Sequence, residues 1–175
     1  LIKDGRPITN HMHKAACVYD WCHELLSEDE KQAFIRGFKA FFAADHERGY
    51  PPKKEKINAV VGHDSEGCIM TNLLQAGIAI HDEDPEMYTI AADIFMSKFV
   101  EPRNALYRGN MHHQGHHYHA ERFQHDLLTA WLFRRLGAGD VFSTDQQFML
   151  YEWLYLLRPD RKFFAHGDGG DDAGV

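Results

Sequence analysis

The residues with most chemistry in this chain are its histidines, 13 in 175 residues. Five fall within nine positions, in Met111-His112-His113-Gln114-Gly115-His116-His117-Tyr118-His119. Such a run can be a solvated loop or an adventitious metal binder. A structural zinc site needs four convergent nitrogen or sulfur ligands, and nothing in this spacing brings four rings together. Tyr118 and Arg122 stand one turn apart if a helix begins here, which sets a guanidinium beside a phenol. A phenol, with an ordinary pKa of ~10, is a poor base at neutral pH, so a proton-abstracting tyrosine needs a nearby cation. The plain account of this pair is packing and surface charge.

A second group is Gly62-His63-Asp64-Ser65-Glu66-Gly67. At a helix start His63 and Glu66 share one face, at i and i+3. The plain account is electrostatic: the acidic residues complement the positive end of the helix dipole and His63 is a hydrogen-bonded neighbour. A different chemistry is raised by three His-Asp dipeptides, His63-Asp64, His81-Asp82 and His125-Asp126. Such pairs, with a separate His and a later Asp, are ingredients of a metal-dependent HD-type phosphohydrolase. A histidine-rich chain makes them readily, and His81-Asp82, beside Glu83 and Asp84, reads more simply as a solvated acidic cluster. Cys17, Cys22 and Cys68 lack C-x-x-C spacing, so neither a disulfide framework nor a cysteine zinc site is expected. They read as small buried side chains.

The elements that must position these groups are helical. Ala16, Cys17, Trp21, Cys22 and Leu25 give residues 13–26 one apolar face. Ser27-Glu28-Asp29-Glu30 is an S-x-x-E capping box. It opens a second helix with Phe34, Ile35, Phe38, Phe41 and Phe42 inward and Gly49 past its end. Pro51-Pro52 with Lys53, Lys54, Glu55 and Lys56 reads as a connector. A third helix is expected over about 64–80. A fourth starts at Asp84-Pro85 and stops before Pro102. A fifth covers about 119–136, closed by Gly137. Ser143-Thr144-Asp145-Gln146 is a second capping box, opening a sixth helix that ends near Arg158-Pro159. The tail after Phe164 reads as loop. The expected fold is all-α, built of antiparallel helical hairpins. Bundle, toroid and solenoid stay open on periodicity alone.

Composition narrows the function classes. Hydrophobic residues at 44% and charged residues at 26% suit one globular domain or part of one. A net charge of −7 argues against non-specific nucleic-acid binding. Any anionic substrate must therefore meet a local basic patch. Unbroken apolar runs such as Ala40 to Ala44 stop at five residues, far short of the ~20 that span a bilayer. The chain opens on Leu1 with no charged-then-apolar leader, as expected of a processed product or an excised piece.

Taken in order, the G-H-x-x-E helix start, the segment Thr71 to Ile80, Met111-His112-His113-Gln114-Gly115 leading to Tyr118, and Gln146-Gln147 with Tyr151, Trp153 and Arg158-Pro159-Asp160 resemble one family. It is the heparinase II/III-like polysaccharide lyases, closest to the heparinase II branch, and the resemblance covers nearly all of residues 1–175. It implies that the chain is the later part of an incomplete (α/α) toroid within a larger multidomain enzyme. It also implies an acidic, uronate-containing polysaccharide of the heparin or heparan sulfate kind as substrate. His63, Glu66 and Tyr118 fall on the family's catalytic positions, and Arg122 on an arginine one turn beyond the tyrosine. A further family histidine comes from a later β-rich region and has no counterpart here. The resemblance also suggests a periplasmic or secreted enzyme, a homodimer in its full-length form, and no cofactor or metal in this region.

The implied reaction is β-elimination, in which the C5 proton of a uronate leaves, the C4–O4 bond breaks and a C4=C5 double bond forms. Glu66, as a protonated acid, would neutralise the uronate carboxylate, with Gln114 or Asn110 as extra donors. Tyr118 would take the proton and return it to the leaving oxygen. His63 would serve as second base for the epimer whose H5 and O4 lie on opposite faces. Arg103, Arg108, Arg122 and the histidines around His113 would form the basic patch. Trp21, Tyr107 and Trp153 are candidate sugar-stacking rings, the two tryptophans reading more readily as core.

Overall fold

The computed structural model describes residues 6–43, 71–112 and 115–164. It is all-α: among these residues there is no strand, and a single antiparallel bridge joins Leu157 to Phe163. The chain divides into two compact units, Leu1–Met96 and Ser97–Val175.

The first unit holds α1 (Arg6–Trp21), α2 (Glu28–Ala43), α3 (Leu74–Ala79) and α4 (Pro85–Ile94). Helix α1 packs on α2 and α3, and α3 packs on α4. Its core is the inward stripe of each helix: Met12, Ala16 and Tyr19 from α1, then Ile35, Phe38 and Phe41 from α2. Spacings of three and four residues are what put these side chains on one face. The Tyr19 ring meets Phe34 and Phe38 edge-on, at 5.7 and 6.5 Å between centroids. Contrary to expectation Trp21 lies outside the core, 80% exposed, and Leu25 is exposed with it. The reason is local: α1 ends at Trp21 and a 3₁₀ turn, His23–Leu25, follows, so the 3.6-residue phase is broken there. Cys17 and Cys22 are half-buried free thiols, not fully buried ones.

The first capping box forms as expected. Glu30 Oε2 accepts from the Ser27 N–H at 2.8 Å and from its hydroxyl at 2.7 Å, while the Glu30 N–H points back to Ser27 Oγ at 3.4 Å. Asp84 caps α4 by accepting from the Glu86 N–H at 3.2 Å, with Pro85 in the first turn. Lys39 Nζ of α2 reaches Asp84 Oδ2 at 2.5 Å. Between α3 and α4 the backbones come unusually close at Gly77, where a Cβ would lie 2.7 Å from both Cα and N of Tyr88. Only glycine leaves room there.

The helical run opened by Asp84 does not stop before Pro102. A π turn, Phe95–Phe99, leads directly into α5 (Val100–Tyr107), and Pro102 sits in the first turn of α5. In a regular helix the proline ring would strike the carbonyl four residues back and one bond would be lost. The wider π turn immediately before it shifts that register, which is how the run continues.

The second unit contains α5, α6 (His116–Arg135), a 3₁₀ segment Thr144–Leu150 and α7 (Tyr151–Leu156). The 3₁₀ segment packs on α5, and α7 on α6. Helix α6 ends as expected at Gly137, whose φ is +88°. There Gly137 N–H donates to Arg134 O and Ala138 N–H to Phe133 O, the Schellman pattern. The second capping box does not form. Gln146 N–H donates to the Ser143 carbonyl at 3.1 Å, closing a 3₁₀ turn. Ser143 N–H is taken by Asn104 Oδ1 at 2.8 Å, so neither half of the box is available.

Candidate functional site

Most of the buried polar side chains among the described residues gather in the second unit, around α6. Gly115 at φ +79° turns the chain into α6, and His119 N–H donates to its carbonyl at 3.0 Å. The helix thus begins three residues earlier than expected, at His116, and Tyr118 falls within its first turn. The i, i+4 spacing then places the Arg122 guanidinium over the Tyr118 ring, 5.3 Å from its centroid. Arg122 is 1% exposed and Tyr118 half-buried. A cation is therefore held out of bulk water against a phenol that keeps a partly open face.

One turn along, His119 is fully buried in a stack of rings. It lies 5.6 Å from the His112 ring at 14° and 4.3 Å from Trp153 at 23°. Its Nδ1 is 2.5 Å from Glu152 Oε2, and the same oxygen accepts the His112 N–H at 3.0 Å. Trp153, half-buried, thus packs its ring against His119.

A second buried cluster joins α5 to α6. Arg103 Nε lies 3.2 and 3.4 Å from the two oxygens of Asp126, with both side chains fully buried. The Arg103 guanidinium also sits over Phe99, at 5.7 Å. Tyr107 donates its hydroxyl to Asp126. Burial and the adjacent carboxylate hold the Tyr107 phenol far above its ordinary range, against the pull of Arg103 and Gln146, so it remains a protonated donor. Three expectations are corrected here. Arg103 belongs to this ion pair and not to a surface patch, Tyr107 is sealed from any sugar, and Asp126 of the third His-Asp pair is held by a cation and a phenol. His81 and Asp82 are both exposed, 3.7 Å apart in the turn between α3 and α4. Among the described residues no group of three or more His, Cys, Asp or Glu could hold a metal ion.

Of the other expected site residues, Arg108 is exposed and Asn110 half-buried, both in the turn after α5. Asn110 has φ +51°, the left-handed region that asparagine tolerates better than most residues. His63, Glu66, His113 and Gln114 lie outside the described residues. Sequence reasoning missed Glu152. Its signal was present: one acidic residue in the apolar run from Phe148 to Leu157. A charge there either faces water or is buried with partners, and it is buried.

Compared with models of known protein families and with curated proteins, the chain matches none.

Proposed function

We propose that this chain is the later part of an (α/α)-toroid polysaccharide lyase that cleaves uronate-containing acidic polysaccharide by β-elimination. The observation that carries the reading is the buried Arg122 guanidinium set over the half-open Tyr118 ring. As base, the tyrosine has to act as the phenolate, whose negative charge is lost when its oxygen takes the C5 proton. A fixed cation beside it, shielded from water, favours that phenolate more than a solvated one would. The protonated phenol then donates to the departing O4, so one group serves both steps where H5 and O4 share a face. His63 is the second base for the opposite epimer, and Glu66 the acid that neutralises the uronate carboxylate. Arg108, Asn110, His113 and Gln114 hold the substrate in this reading. The enzyme acts in the periplasm or outside the cell, as a homodimer in its full-length form.

The test is absorbance of the unsaturated uronate product formed by the full-length protein on heparin, heparan sulfate, dermatan sulfate and alginate. Tyr118→Phe should abolish the signal on every active polymer, and His63→Ala should impair one uronate epimer far more than the other. Equal, mild losses in both variants would end this division of labour. No product on any polymer would end the lyase reading itself.

A further inference from the structure

Glu152 binds two points of the chain with one oxygen. Its Oε2 takes the His112 N–H at 3.0 Å and lies 2.5 Å from His119 Nδ1. His112 lies before Gly115 in the chain, and His119 stands beside Tyr118 in the first turn of α6 that Gly115 opens. The neighbouring residue adds a second hold, since the Trp153 ring stacks on His119 at 4.3 Å. Glu152 is 5% exposed, and a carboxylate so buried is costly to desolvate. An apolar side chain of similar volume would join α7 to α6 at less cost. It would not, however, accept the His112 N–H while setting a carboxylate beside the His119 ring.

We propose that Glu152 is a positioning residue: from α7 it holds His112 and His119 and so sets where the first turn of α6, with Tyr118, stands against α7. The catalytic consequence rests on the lyase reading above; the positional one does not. Trp153 supplies the flat surface that orients His119, and Glu152 supplies the hydrogen bond to the His112 amide and a carboxylate beside His119. Placement of a reacting group matters steeply, a shift of about 1 Å being enough to cost on the order of 10²-fold in rate.

The experiment compares full-length protein carrying Glu152→Gln or Glu152→Asp with the parent, using ¹³C-tyrosine labelling, amide hydrogen exchange and kinetics on a uronate polymer. In Glu152→Gln the His112 amide should exchange about tenfold faster or more, and the Tyr118 ring signals should move. The turnover number should fall on the order of 10²-fold with KM little changed, and Glu152→Asp should recover part of each effect. A folded Glu152→Gln protein with His112 exchange and Tyr118 signals unchanged overturns the proposal. An active protein whose turnover is unaffected by the substitution overturns it too. If the parent cleaves no uronate polymer, the lyase reading fails while the exchange and ring signals still decide the positional role. Should Glu152→Gln not fold, Glu152→Asp carries the same readouts.

Discussion

The two units of this chain solve the problem of burial differently. In residues 71–96 and 6–43 the buried polar side chains are Thr71 and Asn72, and the rest of the described core is apolar, tightened by a glycine contact. From Ser97 onward the buried set includes Arg103, His112, His119, Arg122, Asp126, Thr129 and Glu152. Charged and imidazole groups cost free energy to bury unless they are paired. The second unit nonetheless keeps several, most of them touching α6. The first unit is organised by shape and the second by direction.

The contrast can be broken most forcefully at Asp126. Asp126→Ala leaves the Arg103 cation buried without that carboxylate and deprives Tyr107 of its acceptor. Chemical denaturation should show a loss of roughly 3–5 kcal/mol. A loss under about 1 kcal/mol would mean that direction matters no more here than in the first unit. Next in size is Gly77→Ala. Its methyl would lie 2.7 Å from the Tyr88 backbone, so α3 and α4 must part. The expected loss is about 1–3 kcal/mol, read from the same unfolding curves.

Smaller effects sharpen the same line. Ser27→Ala removes one half of the capping box that begins α2 and should cost about 1 kcal/mol, while Ser143→Ala, where no box forms, should cost less. Smallest is a pH effect at Asp84. Its hydrogen bond from Lys39 holds the carboxyl below its ordinary 3.8, with burial opposing. A depressed carboxyl stabilises the fold at neutral pH and loses that contribution as pH falls below 3.8 towards the folded-state value. Lys39→Met should therefore lower the melting temperature at pH 7, and by less and less as the pH falls below 3.8.

How much of this was legible in the sequence depended on whether the signal was local. The Ser27 box, the Asp84-Pro85 start and the Gly137 stop are decided within a few residues, and all three hold. The Ser143 box failed because a distant residue, Asn104, claimed the amide it needed. Pro102 misled because a π turn, which has no simple sequence mark, lies just before it. Tyr118 and Arg122 were paired correctly because one turn of helix fixes their distance. Arg103, Tyr107 and Asp126 were each noticed for other reasons, and their union depends on α5 side chains reaching one on α6, which no spacing encodes. Glu152 is the sharpest case, since its partners lie 40 and 33 residues away.

The contact at Gly77 also bears on how such a sequence can change over time. With Tyr88 backbone atoms where a side chain would begin, the position offers no intermediate step: alanine, the smallest alternative, already collides. Drift at residue 77 then has to wait for movement of a whole helix, whereas Gly37, with nothing within 4 Å of its missing Cβ, is open to exchange. Among descendants of this chain, glycine should persist at 77 long after 37 has varied.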